Sequence, residues 1–167
     1  MNAFEEIVAK CFEEEGYWVR RSVKVEISKQ DKRNLGKPSM PRPEIDLVAL
    51  NFKKNELLLV EVKSYLDSYG VYFEAVVGKD PKDKERYRLF WNAKYREIIS
   101  SNLKNQYLTQ GLINQRTKIN YALAAGNIHY QEDDHKIRDY FSKQPEKWIL
   151  ITPRQIKSMI KGLSVKG

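Results

Sequence analysis

The chain has 167 residues, 41% of them hydrophobic, and carries 30 Lys and Arg against 22 Asp and Glu, a net charge of +8. Such a length and apolar content make one folded domain over residues 1–167 the default and exclude a disordered polymer, and no apolar run is long enough to span a bilayer. A lone cysteine, Cys11, excludes an internal disulfide, and a single Cys with only two histidines, His129 and His135, argues against a structural zinc site.

Taken in chain order, residues 3–15 place Phe4, Ile7, Val8, Cys11 and Phe12 on one helical face, and Gly16 closes that helix. The N-terminus is acidic rather than basic, unlike a signal peptide, which together with the free thiol points to a reducing, cytoplasmic setting. Val19, Val23 and Val25 alternate through a strand over 17–27. Residues 28–42, with Gly36, Pro38 and Pro41, read as a flexible loop whose Lys29, Lys32, Arg33, Lys37 and Arg42 either track a polyanion or are simply solvated. Two apolar runs around Lys53-Lys54-Asn55 read as a β-hairpin.

Beyond it, Tyr65, Tyr69, Tyr72 and Phe73 favour packing of a loop on the core over base stacking. Residues 79–88 are highly charged and read as solvated. Residues 89–115 read as one long helix with Trp91, Tyr95, Ile99, Leu103 and Tyr107 as its buried stripe, and Gln106 and Gln110 as hydrogen-bonding flanks. A strand over 119–125, a helix over 133–143, a strand over 148–151 and a helix begun by Thr152-Pro153 complete the order. His129 and His135 fall in polar, surface-like segments. Strands separated by helices in the second half make an α/β fold with a mixed central sheet flanked by helices.

The hairpin holds the most informative residues. A turn centred between Lys53 and Lys54 makes opposed positions sum to 107, and Asp46 and Glu61 have that sum. Opposed side chains lie about 4.5–5.5 Å apart at Cβ. Glu61 and Lys63 share a strand face, and Val62 points away. Two carboxylates and an ammonium at the end of buried strands are costly unless paired or bridged by a cation, and oxygen donors of this kind suit Mg2+ or Mn2+. A solvated hairpin end with Lys63 paired to an acid is the plainer alternative. An acidic site within a basic chain favours a phosphodiester substrate over a merely soluble basic protein.

Asp46, Glu61 and Lys63 resemble the Asp…Glu-x-Lys signature of the PD-(D/E)xK, or restriction-endonuclease-like, nuclease superfamily. The resemblance implies a core of helix, three strands, helix and strand, here followed by a C-terminal helix-strand-helix. Many members carry a glutamate on the first helix. In archaeal Holliday-junction resolvases and Mrr-like enzymes it shortly precedes a Gly-aromatic pair, and Glu5 before Gly16-Tyr17 is the matching residue, ahead of Glu6. The chain departs from the pattern in reading Pro43-Glu44-Ile45-Asp46, so Glu44 is an extra acid whose role the pattern leaves open.

The resemblance implies a metal-dependent deoxyribonuclease, a hydrolase cutting DNA, duplex or branched, to a 5′-phosphate and a 3′-hydroxyl. Asp46, Glu61, the Val62 carbonyl and Glu5 are the expected ligands of Mg2+ or Mn2+. Lys63 is expected to orient the attacking water and to stabilise the transition-state charge. Junction resolvases act as dimers, so a homodimer is an open alternative, whereas no membrane partner is expected. Two other classes compete: a nucleic-acid-binding module on the same fold that no longer cuts, and an interaction protein whose hairpin charges form a salt-bridge cluster.

Overall fold

The computed structural model of the protein describes residues 2–64 and 70–166; Tyr65 and Tyr69 lie outside them. Helix α1 (Ala3–Glu14) opens on a capping box in which Glu5 N–H donates to Asn2 Oδ1 (2.8 Å) and the Glu5 carboxyl accepts from Asn2 N–H (3.3 Å). Strand β1 (Trp18–Lys24), β2 (Glu44–Asn51) and β3 (Glu56–Lys63) follow as an antiparallel meander. β4 (Lys118–Ala125) and β5 (Ile149–Ile151) extend it with parallel pairings. The result is a five-stranded mixed sheet in the order β1-β2-β3-β4-β5, an α/β architecture with helices on both faces.

The two faces separate by strand parity. Leu47, Ala49, Leu58, Val60 and Val62 pack with Phe4, Val8 and Phe12 of α1 and with Ile156 of the C-terminal helix α7 (Pro153–Lys166), which Thr152 caps. Val48, Leu50, Leu57 and Leu59 face the other way, toward Tyr95, Ile99, Leu103 and Tyr107, and toward Ile137 and Phe141 of helix α6 (Asp133–Ser142). Both layers are almost wholly dry, so the sheet is buried on both sides, as parallel pairings require.

The segments between these elements differ from the sequence expectations at three places. Residues 28–42 are not a featureless loop. Helix α2 (Lys29–Asn34) starts there on a second capping box, in which Ser28 Oγ accepts from Asp31 N–H at 3.0 Å and the Asp31 carboxyl caps Ser28 in return. The Ser-x-x-Asp spacing is the signal for it, masked by the surrounding Gly and Pro. Residues 89–115 are not one helix. α4 (Arg88–Trp91) ends at Asn92, whose side chain accepts from Tyr95 N–H (3.0 Å) and starts α5 (Ala93–Thr109), and the chain leaves helix at Gln110. Tyr95, Ile99, Leu103 and Tyr107 are the buried stripe, while Trp91 belongs to the shorter helix and stays half-buried.

Nor is the charged run 79–88 merely solvated. A 3-10 turn at Lys84–Tyr87 buries Tyr87, and Trp91 Nε1 donates to the Lys84 carbonyl (2.6 Å). Gly78, at φ 82°, lets the chain pass this indole, since a Cβ there would fall 2.7 Å from the Trp91 ring. Between β3 and this run lies the four-residue helix α3 (Phe73–Val76). It docks on the core through Ala75 and Val76, and the preceding Tyr72 hydroxyl contacts Asp80 and Asp83. Packing, not exposure, is thus the lot of the described aromatics there.

The two glutamines behave as flanks. Gln106 accepts from Glu26 N–H (2.7 Å) and Gln110 accepts from Arg20 (3.2 Å). Both histidines are exposed. Among the described residues no helix is long and apolar enough to cross a membrane.

Candidate active site

The hairpin closes where the spacing places it. Asn51 pairs with Glu56 across Phe52-Lys53-Lys54-Asn55, with Asn55 in the left-handed region (φ 52°) that asparagine tolerates. The ladder runs Leu50↔Leu57, Ala49↔Leu58, Val48↔Leu59 and Leu47↔Val60, all summing to 107. Asp46 and Glu61 are the next residues along the two strands.

At that point β2 bends. Trp18 and Val23 pack on the same sheet face although five positions apart, and so do Ile45 and Val48, three apart, so alternation slips by one residue in both strands. The slip is centred on Ser22, flanked by the pairs Arg21↔Leu47 and Val23↔Ile45 and held at φ 50°. A non-glycine residue at positive φ inside a strand stores strain, and such residues gather at functional sites. Beside it, Asp46 turns sideways and its Oδ2 accepts from Val62 N–H at 2.8 Å, where the main-chain ladder has stopped. Nothing in the residue types around Ser22 announces the bend. Ser22→Gly, which relieves the left-handed backbone, is expected to raise the unfolding free energy by about 0.5–1 kcal/mol, and Ser22→Val to lower it, both read from denaturant midpoints at constant m.

The electrostatics show how close the acids are. The Glu61 carboxyl is held well above the usual carboxylate range, first by burial, then by the charge of Asp46 and by a hydrogen bond with it, against the pull of Lys63. Glu5 is raised as well, by burial and then by Asp46, with a smaller push from Glu44. Asp46 is therefore the carboxylate that both glutamates feel. Arg21 ties down α1 through Glu6 (2.8 Å), which gives Glu6 a structural partner, while Glu5 is the helix acid whose carboxyl feels Asp46 and Glu44.

Lys63 extends from the Glu61 face, its Nζ 5.3 Å from the centre of the Tyr87 ring, and its carbonyl accepts from Gly126 N–H (2.8 Å). The Val62 side chain is buried on the opposite face, as alternation requires. Glu44 is exposed. Among the described residues no three His, Cys, Asp or Glu side chains converge into a ready-made metal cage. The structure thus brings Asp46, Glu61 and Lys63 to one end of the sheet, with Glu5 at its margin, engaged with Asn2.

Glu61 opens into a cleft of about 140 Å3 whose other walls are Glu44, Glu85, Arg86, Arg88, Leu89 and Tyr95. Burial lifts the Tyr95 phenol to about 12, with Arg88 opposing and Glu61 adding to the rise. Arg86, Arg88 and Glu85 come from the run read as solvated, and only the apolar Tyr87, Leu89 and Phe90 interleaved with them hint that it docks.

No family model matches the chain, and no curated protein or solved structure matches it either.

Proposed function

We propose that the protein is a metal-dependent nuclease that hydrolyses DNA phosphodiester bonds, built on a restriction-endonuclease-like core. The observation that carries this reading is the meeting of Asp46 and Glu61 just past the last hairpin pair, Leu47↔Val60, with Lys63 on the Glu61 face of β3. The order of helix, three-stranded meander, long helix and parallel strand supports the core assignment.

The donors fit Mg2+ or Mn2+. Two neighbouring carboxyls, one of which burial and its neighbour push well above the usual carboxylate range, form a site that a divalent cation relieves. Mg2+ commonly takes only one or two protein carboxylates alongside substrate phosphate and water, so a closed cage is not required. Asp46 and Glu61 would hold the ion, with the Val62 carbonyl and Glu5 as supplementary ligands. When bound, the ion supplies Lewis-acid stabilisation of negative charge on the phosphoryl group.

The chain supplies the rest. Asp46 is oriented by Val62 N–H, and Lys63, its ammonium over the Tyr87 ring on the Glu61 face, would supply a compact positive charge for the attacking water and the transition-state oxygens.

A second reading, an inactive nucleic-acid-binding module, is favoured by one observation: the carboxyls of Asp46 and Glu5 already have internal partners in Val62 and Asn2. Incubation of the purified protein with Mg2+ or Mn2+ and single-stranded, duplex and branched DNA separates the two. Cleavage supports the enzyme. Binding without cleavage on every substrate, together with no metal binding lost in Asp46→Asn, supports the module.

A further inference from the structure

We propose that the wall of the Glu61 cleft formed by Arg88, with Arg86 beside it, grips a backbone phosphate of the nucleic-acid strand, and that Glu85 occupies the phosphate's place until substrate arrives. This rests on the nuclease reading and adds to it the residues that seat the strand.

The cleft carries both signs of charge: the carboxyls of Glu44, Glu61 and Glu85 and the guanidinium groups of Arg86 and Arg88 share its lining. A phosphodiester entering it finds cations in the same cleft as Glu61 of the candidate metal site. Arg88 is prepared for this. Its guanidinium lies 4.4 Å from the centre of the Tyr95 ring, and Tyr95 is buried. Contact with the ring restricts the guanidinium, so its fork is presented with less rotamer entropy left to lose, and a planar fork is the group that matches phosphate.

Glu85 is the anion held there now. Its carboxylate pairs with Lys37 at 2.9 Å and with Arg88 at 3.5 Å. Lys37 comes from the segment that follows α2, so one carboxylate links that segment to the cleft. The link is weak: Glu85 and Lys37 are each about half exposed (48%), and ion pairs of that kind contribute about 0–1 kcal/mol. A phosphate brings the same charge with more acceptor oxygens and releases counterions on binding. Exchange of Glu85 for phosphate therefore frees Lys37 and Arg88 together at little cost. The hydrogen bond from Lys37 holds the Glu85 carboxyl below its ordinary range, so it stays ionised, and in place, throughout the neutral region.

The test measures binding of a short labelled duplex without divalent metal, with cleavage of the same duplex by the wild-type protein in Mn2+ read in parallel. Arg88→Ala is expected to weaken binding about tenfold and to lower the salt slope by about 1. Glu85→Gln is expected to tighten it severalfold. The charge-matched controls Lys143→Ala and Asp139→Asn, an exposed pair at the C-terminal end of α6, set the size of a change that only alters net charge. Effects no larger than the controls overturn the proposal. If Arg88→Ala does not fold, Glu85→Gln decides alone: tighter binding than Asp139→Asn supports the proposal, and equal or weaker binding overturns it. Absence of cleavage by the wild-type protein overturns the nuclease reading instead, and the binding series still decides the role of this wall.

Discussion

Lys63→Ala and Asp46→Asn are each expected to lower the rate of DNA cleavage in Mg2+ by about 100- to 1,000-fold, the size of effect seen when one group aimed at developing charge is removed from an active site. The two act differently. The amide of Asp46→Asn keeps an oxygen able to accept from Val62 N–H, so the strand end stays closed while half the anionic charge at the candidate metal site is lost. Its defect should ease as Mg2+ or Mn2+ is raised. Lys63→Ala leaves the carboxyls untouched and removes the ammonium over Tyr87, so extra metal should not rescue it. Circular dichroism and thermal melts must show both variants folded. Cleavage within a factor of a few of wild type in either folded variant would remove the site assignment.

Glu61→Gln is expected to melt at a higher temperature than wild type when no divalent metal is present. Burial and Asp46 raise the folded-state pKa of Glu61 above its unfolded value of about 4.3. A carboxyl shifted this way supports the fold while protonated, and that support disappears as pH rises through the folded-state value. At neutral pH the ionised pair therefore costs stability, which a neutral Gln, able to donate to Asp46 as the protonated acid does, recovers.

Relief of about 1 kcal/mol corresponds to roughly 2–4 °C in a chain of this size. The gain should vanish below about pH 4, where wild-type Glu61 is protonated in both states. Added Mg2+ should then raise the wild-type melting temperature, by mass action on the folded state, and leave Glu61→Gln nearly unmoved. A salt-bridge cluster predicts the reverse sign, since Gln would leave Lys63 without its acid. A lower melting temperature for Glu61→Gln at neutral pH without metal thus sinks the metal-site reading.

Local signals in the sequence carried much of this architecture. The register of β2 and β3 was legible because two charged residues interrupt strands that are otherwise apolar, and only one turn position makes their faces agree. The stripe Tyr95, Ile99, Leu103, Tyr107 was legible for the same reason, a period enforced by burial. What escaped depends on contacts distant in sequence. Asn92 reads as an ordinary helix residue, and only its side-chain bond to Tyr95 N–H shows that α4 stops and α5 starts there. Ser22 takes a left-handed backbone where its own strand β1 and the neighbouring β2 both shift alternation, which no property of serine announces. Arg88 and Glu85 look like surface charge because their partners, Tyr95 and Lys37, arrive from another helix and from the far side of the site. The acids of the candidate site were therefore readable, and its cationic wall was not.

The pairing of β3 with β4 bears on the order in which the site is assembled. Asp46 and Glu61 lie on a hairpin with a four-residue loop, which closes on the microsecond scale of local structure. Arg88 and Tyr95 sit in the connection between β3 and β4, and their place is fixed only once the parallel strand docks, a non-local and slower event. A nascent chain thus pairs its acids early and gains its cationic wall late, so that, on the proposed function, capture of nucleic acid through this wall would be reserved for molecules that have completed folding.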